Sequence, residues 1–225
     1  MIKFTYFGHS CFLIEGSKGR IIIDPFLRGN PHVKVNPNEI VVSSILVTHA
    51  HADHLGDTVE IAQKNKAQVI GVYELVQYCL KQGAPNGHAM NLGGSYRFDF
   101  GEVQLTPAFH SSGCPDGSYG GAPCGFIIKM DGKTLYHAGD TSLSLEMKLI
   151  GELHNIDVAF LPIGDNYTMG PADAANAVEF LKPKLVVPMH YNTLPEIQQD
   201  PEDFADKVGD LARVKIMGFG ETYEM

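Results

Sequence analysis

The sequence predicts an α/β protein in which a series of strands gives way to helices twice. β-rich runs separated by turn residues fill the first quarter: IKFTYF, SCFLIEG, RIIIDPF and VVSSILVTHA. A second series follows at SYRFDF, EVQLTPAFH, GFIIKM and TLYHAG. Apolar residues recur at helical spacing after each series.

Taken in order, the first three runs read as antiparallel strands, with a KG turn between the second and third, feeding the more buried VVSSILVTHA. A weak helix is expected beyond Leu55. Leu75, Val76, Cys79 and Leu80 then trace one helical stripe, with Gly83 placed to stop it. Asp131-Gly132 signals a hairpin, because the favoured two-residue turn needs positive φ at both central positions. Three more stripes follow: Leu143, Met147 and Ile150; Ala174, Ala177, Val178 and Leu181; Phe204, Val208 and Leu211. Gly170-Pro171 and Asp200-Pro201 are suited to start the last two helices. DVAFLPIG and KLVVPMH are apolar throughout and read as strands, as does the closing VKIMGF. No linker, low-complexity tract or charge block divides the chain. A single domain over residues 1–225 is expected, built from two comparable halves meeting near residue 105.

A length of 225 residues with 44% hydrophobic content suffices for a sizeable core. The net charge of −9 and the lack of any Lys/Arg-rich run disfavour nucleic acid and anionic membrane as partners. A small-molecule substrate is the expected partner, and no feature bears on oligomeric state. MIKFTYFGHSCFLIEG has no charged leader region or cleavage site, and no apolar run approaches membrane-spanning length. Cys11, Cys79, Cys114 and Cys124 form no C-x-x-C pair and suit reduced thiols, so a cytoplasmic protein is expected.

The chemistry concentrates in THAHADHLGD, Thr48 to Asp57. A histidine-rich loop can be a plain solvated turn, but four ligand-type residues at this spacing, abutting a buried strand, point to metal. If the strand continues to them, His49 and His51 share a face and can hold one ion. Asp53 and His54, beyond the turn, can serve a second. His110, Asp140 and His190 each follow an apolar strand, where open sheets expose ligands at their C-terminal edge.

THAHADH, His110, HAGDT and PMHYNT occur in an order that resembles the metallo-β-lactamase superfamily. GHSCFLIEG, IIIDPF, IGDNYTMGP and HYNT look like its small metal-dependent hydrolases related to ascorbate-6-phosphate lactonase. The resemblance covers nearly the whole chain. It implies a four-layer αββα sandwich, two mixed sheets with helices on the outer faces. It further implies one ion held by His49, His51 and His110, another by Asp53, His54 and His190, and Asp140 bridging both.

Two such ions would lower the pKa of a shared water and polarise an ester, lactone or phosphodiester, giving a bridging hydroxide as nucleophile. Asp53 would orient it. Zinc is the first expectation, then manganese, with iron or nickel compatible with the donor set. The alternatives are an iron-dependent dioxygenase using a single ion, a metal-binding interaction module, or an RNA-processing nuclease, the last opposed by the charge balance.

Among neighbouring residues, Asp24 closes RIIID and is expected to support a ligating histidine. His9 in FGHS is a candidate to reach substrate or act as a leaving-group acid. Ser112, Asn166, Thr168, Tyr191 and Asn192 are candidate pocket residues. His137 is expected on the opposite strand face as a structural residue, and His32, His88 and His154 are expected to be solvated. The loop from Ser111 to Cys124 is long and irregular, and its place after His110 suggests an active-site flap.

Overall fold

A computed structural model describes residues 1–225. The chain opens with an antiparallel meander, β1 (Lys3–Gly8), β2 (Cys11–Gly16) and β3 (Gly19–Ile23). It then adds three parallel strands through loop and helix crossovers: β4 (Ser44–Leu46), β5 (Gln68–Val72) and β6 (Asn86–Met90). The second half repeats this scheme. β7 (Ser95–Phe98), β8 (Gly101–Pro107), β9 (Cys124–Met130) and β10 (Lys133–His137) are antiparallel, and β11 (Val158–Pro162), β12 (Leu185–Met189) and β13 (Arg213–Val214) continue in parallel. The result is two mixed seven-stranded sheets.

The side-chain period of two explains why the second sheet is apolar on both faces. In β11, Val158 and Phe160 point into the core between the sheets, whereas Ala159 and Leu161 point to the helices outside. Phe126 and Ile128 face inward and Ile127 outward in β9, and Leu185, Val187 and Met189 face inward and Val186 outward in β12. The two sheets meet through aromatic rings, with Phe160 against Phe4 at 5.2 Å and against Phe12 at 4.2 Å between ring centroids. Each such buried ring contributes on the order of 1.5–3 kcal/mol.

Helices α2 (Thr58–Asn65) and α3 (Tyr73–Lys81) cover the first sheet. The outer face of the second sheet takes α4 (Leu145–Leu153), α5 (Pro171–Leu181) and α6 (Pro201–Val208). This is the four-layer αββα sandwich. The expected helix starts are in place: α5 has Gly170 as N-cap with Pro171 next, and α6 has Asp200, whose side chain accepts from Glu202 N at 3.0 Å. At the β9–β10 hairpin Asp131 and Gly132 take φ of 49° and 74°, as a two-residue turn of that hand requires.

Two expectations are corrected. The switch between sheets falls between Met90 and Ser95, ahead of residue 105, because β7 already belongs to the second sheet. VKIMGF is not a closing strand: pairing stops at Val214, and the last strand, β14 (Thr222–Glu224), returns to the first sheet beside β1. The segment from Ser111 to Cys124 folds on itself, with Gly113 bridged to Tyr119, Cys114 N donating to Ser118 O at 2.9 Å and Gly120 N to Ser112 O at 3.0 Å. Its far end is tied down where Cys124 N donates to Thr48 O at 3.0 Å. No helix of the chain is long and apolar enough to cross a membrane.

Candidate metal centre

The site lies where strands β4, β8, β10 and β12 end and irregular backbone begins. His49 and His51 follow β4, Asp53 and His54 sit on the short helix α1 (Ala52–Leu55), and His110, Asp140 and His190 follow β8, β10 and β12. β4 does not continue to the histidines. It stops at Leu46 because Asp24, just beyond β3, accepts from Thr48 N at 2.8 Å and so takes a donor that a longer ladder would use. The imidazoles converge by another route: His51 is the extended residue preceding α1, at φ −60° and ψ 147°, and its Nδ1 comes within 2.9 Å of His49 Nε2.

Hydrogen bonds fix the tautomers of the donors. Thr48 Oγ1 donates to Asp24 Oδ2 at 2.7 Å, so it can only accept from His49 Nδ1, 3.0 Å away, which leaves His49 Nε2 as a lone pair. His54 Nδ1 donates to the same Asp24 oxygen at 2.7 Å, leaving its Nε2 free. Asp24 thus holds a donor of each cluster, directly or through Thr48. His110 is held beside Asp140 by Phe109 N donating to Thr141 Oγ1 at 3.0 Å.

Donor atoms of His49, His51 and His110 fall in one compact group, and those of His54, Asp53, His190 and His9 in another. Asp140 stands between them. Its Oδ2 lies 3.0 Å from His190 Nε2, 3.3 Å from His54 Nε2 and 3.6 Å from His110 Nε2. Despite these separations His54 Nε2 and His190 Nε2 make no hydrogen bond, and both are buried, as is Asp140 Oδ1. Buried polar atoms left this way cost on the order of 1–3 kcal/mol each, and a cation among them would satisfy them together.

The electrostatics fit that occupant. Burial pushes the His49 imidazole well below its usual range, so it is neutral with a lone pair to give. Burial opposes ionisation of Asp140, but His190 and His54 outweigh it and hold the carboxyl well below the usual range. Burial likewise opposes charge on Asp53, and the hydrogen bond from His9 with the charge of His54 keeps it anionic. Burial also disfavours a proton on His54, yet Asp140 and Asp24 raise its affinity well above the ordinary value. Imidazoles around two carboxylates, with a proton drawn to His54 that a cation would replace, make up the donor set a divalent ion requires.

His9 is placed differently from expectation. Its ring is wholly buried, with Nε2 3.0 Å from Asp53 Oδ2 and Nδ1 2.6 Å from Thr193 Oγ1. Both nitrogens are engaged, so it faces a carboxylate rather than a substrate. Burial, followed by the neighbouring His190, pushes its pKa down to about 4. His9, Asp24 and His190 all take left-handed φ, at 56°, 44° and 56°, and His190 N donates to His9 O at 2.7 Å. Such strain, about 1–3 kcal/mol per residue, persists only where surrounding bonds impose it.

A cavity of about 400 Å³ opens over the donors and is completed by Ser111, Tyr167 and Leu194. None of the expected pocket residues lines it. Ser112 is buried and its Oγ accepts from Ala50 N at 3.2 Å, bracing the histidine loop. Asn192 accepts from Gln199 N at 2.8 Å, Tyr191 is buried against the outer helices, Asn166 is exposed, and Thr168 turns to Met169 O at 3.3 Å. Tyr167 stands between two polar residues, Asn166 and Thr168, whose hydrogen-bonding groups give the stronger signal in sequence. Leu194 carried no signal, since a leucine in a polar stretch reads as ordinary packing. His137 is structural, lying 3.0 Å from Ser10 O, whereas His32 is not simply solvated: it reaches Asn192 O at 2.8 Å and stacks on Phe219. All four cysteines are buried and unpaired.

A four-layer αββα sandwich with histidine and aspartate donors at the strand ends defines a metallo-β-lactamase-type protein. The beta-lactamase superfamily domain matches residues 3–190, and the chain belongs to that superfamily. It is 53% identical to a UPF0173 metal-dependent hydrolase of Pelotomaculum thermopropionicum and 51% identical to one of Anoxybacillus flavithermus, with all of each chain covered. Among solved structures it resembles Igni18, a metallo hydrolase from Ignicoccus hospitalis, at 42% identity and a TM-score of 0.89, covering 100% of this chain and 99% of that one.

Proposed function

We propose that this protein is a hydrolase of small-molecule esters, lactones or phosphodiesters, working at a centre that holds two divalent ions. One ion is assigned to His49, His51 and His110, the other to Asp53, His54 and His190, with Asp140 shared. Zinc is the preferred ion and manganese the second. The observation that carries this reading is the approach of His54, His110 and His190 Nε2 to Asp140 Oδ2, at 3.3, 3.6 and 3.0 Å, with the two most buried nitrogens making no hydrogen bond. When bound, such ions supply Lewis acidity, making water nucleophilic near neutral pH and drawing charge from the electrophile.

The chain's own residues do the rest. Asp53 lines the cavity with its side chain 31% exposed, the one donor carboxylate that both reaches solvent and is held rigidly from behind. It is placed to accept a hydrogen bond from the attacking water and orient it. Thr193 Oγ1 donating to His9 Nδ1, and His9 Nε2 donating to Asp53 Oδ2, fix that carboxylate, so His9 acts as a positioning residue. Asp24 and Thr48 do the same for His54 and His49. The acidic charge balance and the small cavity support a small molecule rather than a polyanion as substrate.

The test is a hydrolysis screen of metal-reconstituted protein over lactones, thioesters, phosphodiesters and β-lactams, with Asp140→Ala alongside. Turnover that survives complete metal removal would contradict the proposal, as would full activity of Asp140→Ala.

A further inference from the structure

We infer that the cleft selects substrates whose part beyond the reacting bond is uncharged and apolar, an inference that rests on the hydrolytic reading above. Apart from the donors, the cavity presents only Ser111, Tyr167 and Leu194, and no lysine or arginine lines it. A phosphate or carboxylate held away from the reacting centre needs a charge-assisted partner, an arginine fork, a lysine or a nest of backbone N–H groups. None is present. Arg28 is already paired with Glu60 and with Asp57, 3.5 Å away.

What the walls offer instead is fixed apolar surface. Leu194 is half-buried and held extended, at φ −132° and ψ 155°, because Pro195 follows it. Tyr167 is 49% exposed, on a turn closed by Thr168 N donating to Asp165 O at 2.6 Å and tied to the Asp140 loop by Met169 N donating to Thr141 O at 3.0 Å. An apolar arm covering that ring and Leu194 gains from their burial against a backbone that is already ordered. A cavity of about 400 Å³ limits the arm to a short chain or a single ring.

Three hydroxamates separate the possibilities, because they share a metal-seeking head and differ only in the arm: acetohydroxamate, octanohydroxamate and suberic acid monohydroxamate, which ends in a carboxylate. Binding to zinc-reconstituted protein is read by calorimetry, so turnover is not needed. Octanohydroxamate is expected to bind at least about tenfold more tightly than the carboxylate-ended compound. Leu194→Lys should narrow or invert that ratio, and Tyr167→Ala should weaken octanohydroxamate while leaving acetohydroxamate unchanged. Equal or tighter binding of the carboxylate-ended compound to the unmodified protein overturns the inference. So does a preference that Leu194→Lys leaves untouched and added salt removes, which assigns it to overall charge. Binding of acetohydroxamate without either longer compound denies the arm a place while sparing the hydrolytic reading. Failure of all three to bind removes the metal centre, and this inference with it.

Discussion

The Oδ2 atom of Asp24 lies 2.7 Å from Nδ1 of His54, and both side chains are wholly buried. The same oxygen receives the Thr48 hydroxyl that braces His49. A carboxylate outside the donor set therefore sets the direction of a lone pair in each cluster. Asp24→Asn keeps the volume but removes one strong acceptor. Zinc affinity is expected to fall about 10–100-fold, measured by competition with a chelating dye.

The burial of His9 makes stability depend on pH. Burial holds His9 at a pKa of about 4 in the folded chain, below the ordinary 6.5 of an unfolded histidine. Between those values the unfolded state binds the extra proton, so this contribution is present above pH 6.5 and is lost as pH falls toward 4. Its upper bound is about 3 kcal/mol, at 1.36 kcal/mol per pKa unit. Urea unfolding of metal-free protein at several pH values, compared with His9→Gln, should show a shallower decline in the variant. An identical decline would place the proton elsewhere.

Phe160 joins the two sheets through Phe4 and Phe12 without touching the donors. Phe160→Ala is expected to cost about 3–5 kcal/mol of folding stability, read from denaturant midpoints. Its metal content when folded should be unchanged.

Gly56 ends α1 directly after His54 and Leu55, at φ +42°, where a Cβ would collide with the carbonyl of Pro25. Gly56→Ala is expected to destabilise the chain by more than the ~1 kcal/mol usual for backbone changes, and to weaken metal binding by shifting His54. Thermal unfolding with and without zinc measures both effects.

Much of this was legible in the chain. The four donors of THAHADH declared themselves by residue type and spacing, and strand ends marked His110, Asp140 and His190. Alternation in β9, β11 and β12 was hidden, because strands buried on both faces are apolar at every position. β6, with Asn86 and Gly87 at its start, has no strand propensity and exists because β5 pairs with it over five residues. β14 depends on pairing with β1 across the length of the chain, which no local pattern announces. The pocket walls were misread for a related reason. Polar residues beside the donors looked functional, but Ser112 and Asn192 spend their hydrogen bonds on backbone, leaving Tyr167 and Leu194 to face the cavity.

The most direct measurement is the metal-to-protein ratio after equilibrium dialysis against zinc, with His110→Ala, His190→Ala and Asp140→Ala beside the unmodified chain. Two tightly held ions are expected in the unmodified protein, one in each histidine variant from the opposite cluster, and weakened retention of both in Asp140→Ala. A folded, unmodified protein that retains no zinc, manganese, iron or nickel would contradict the account.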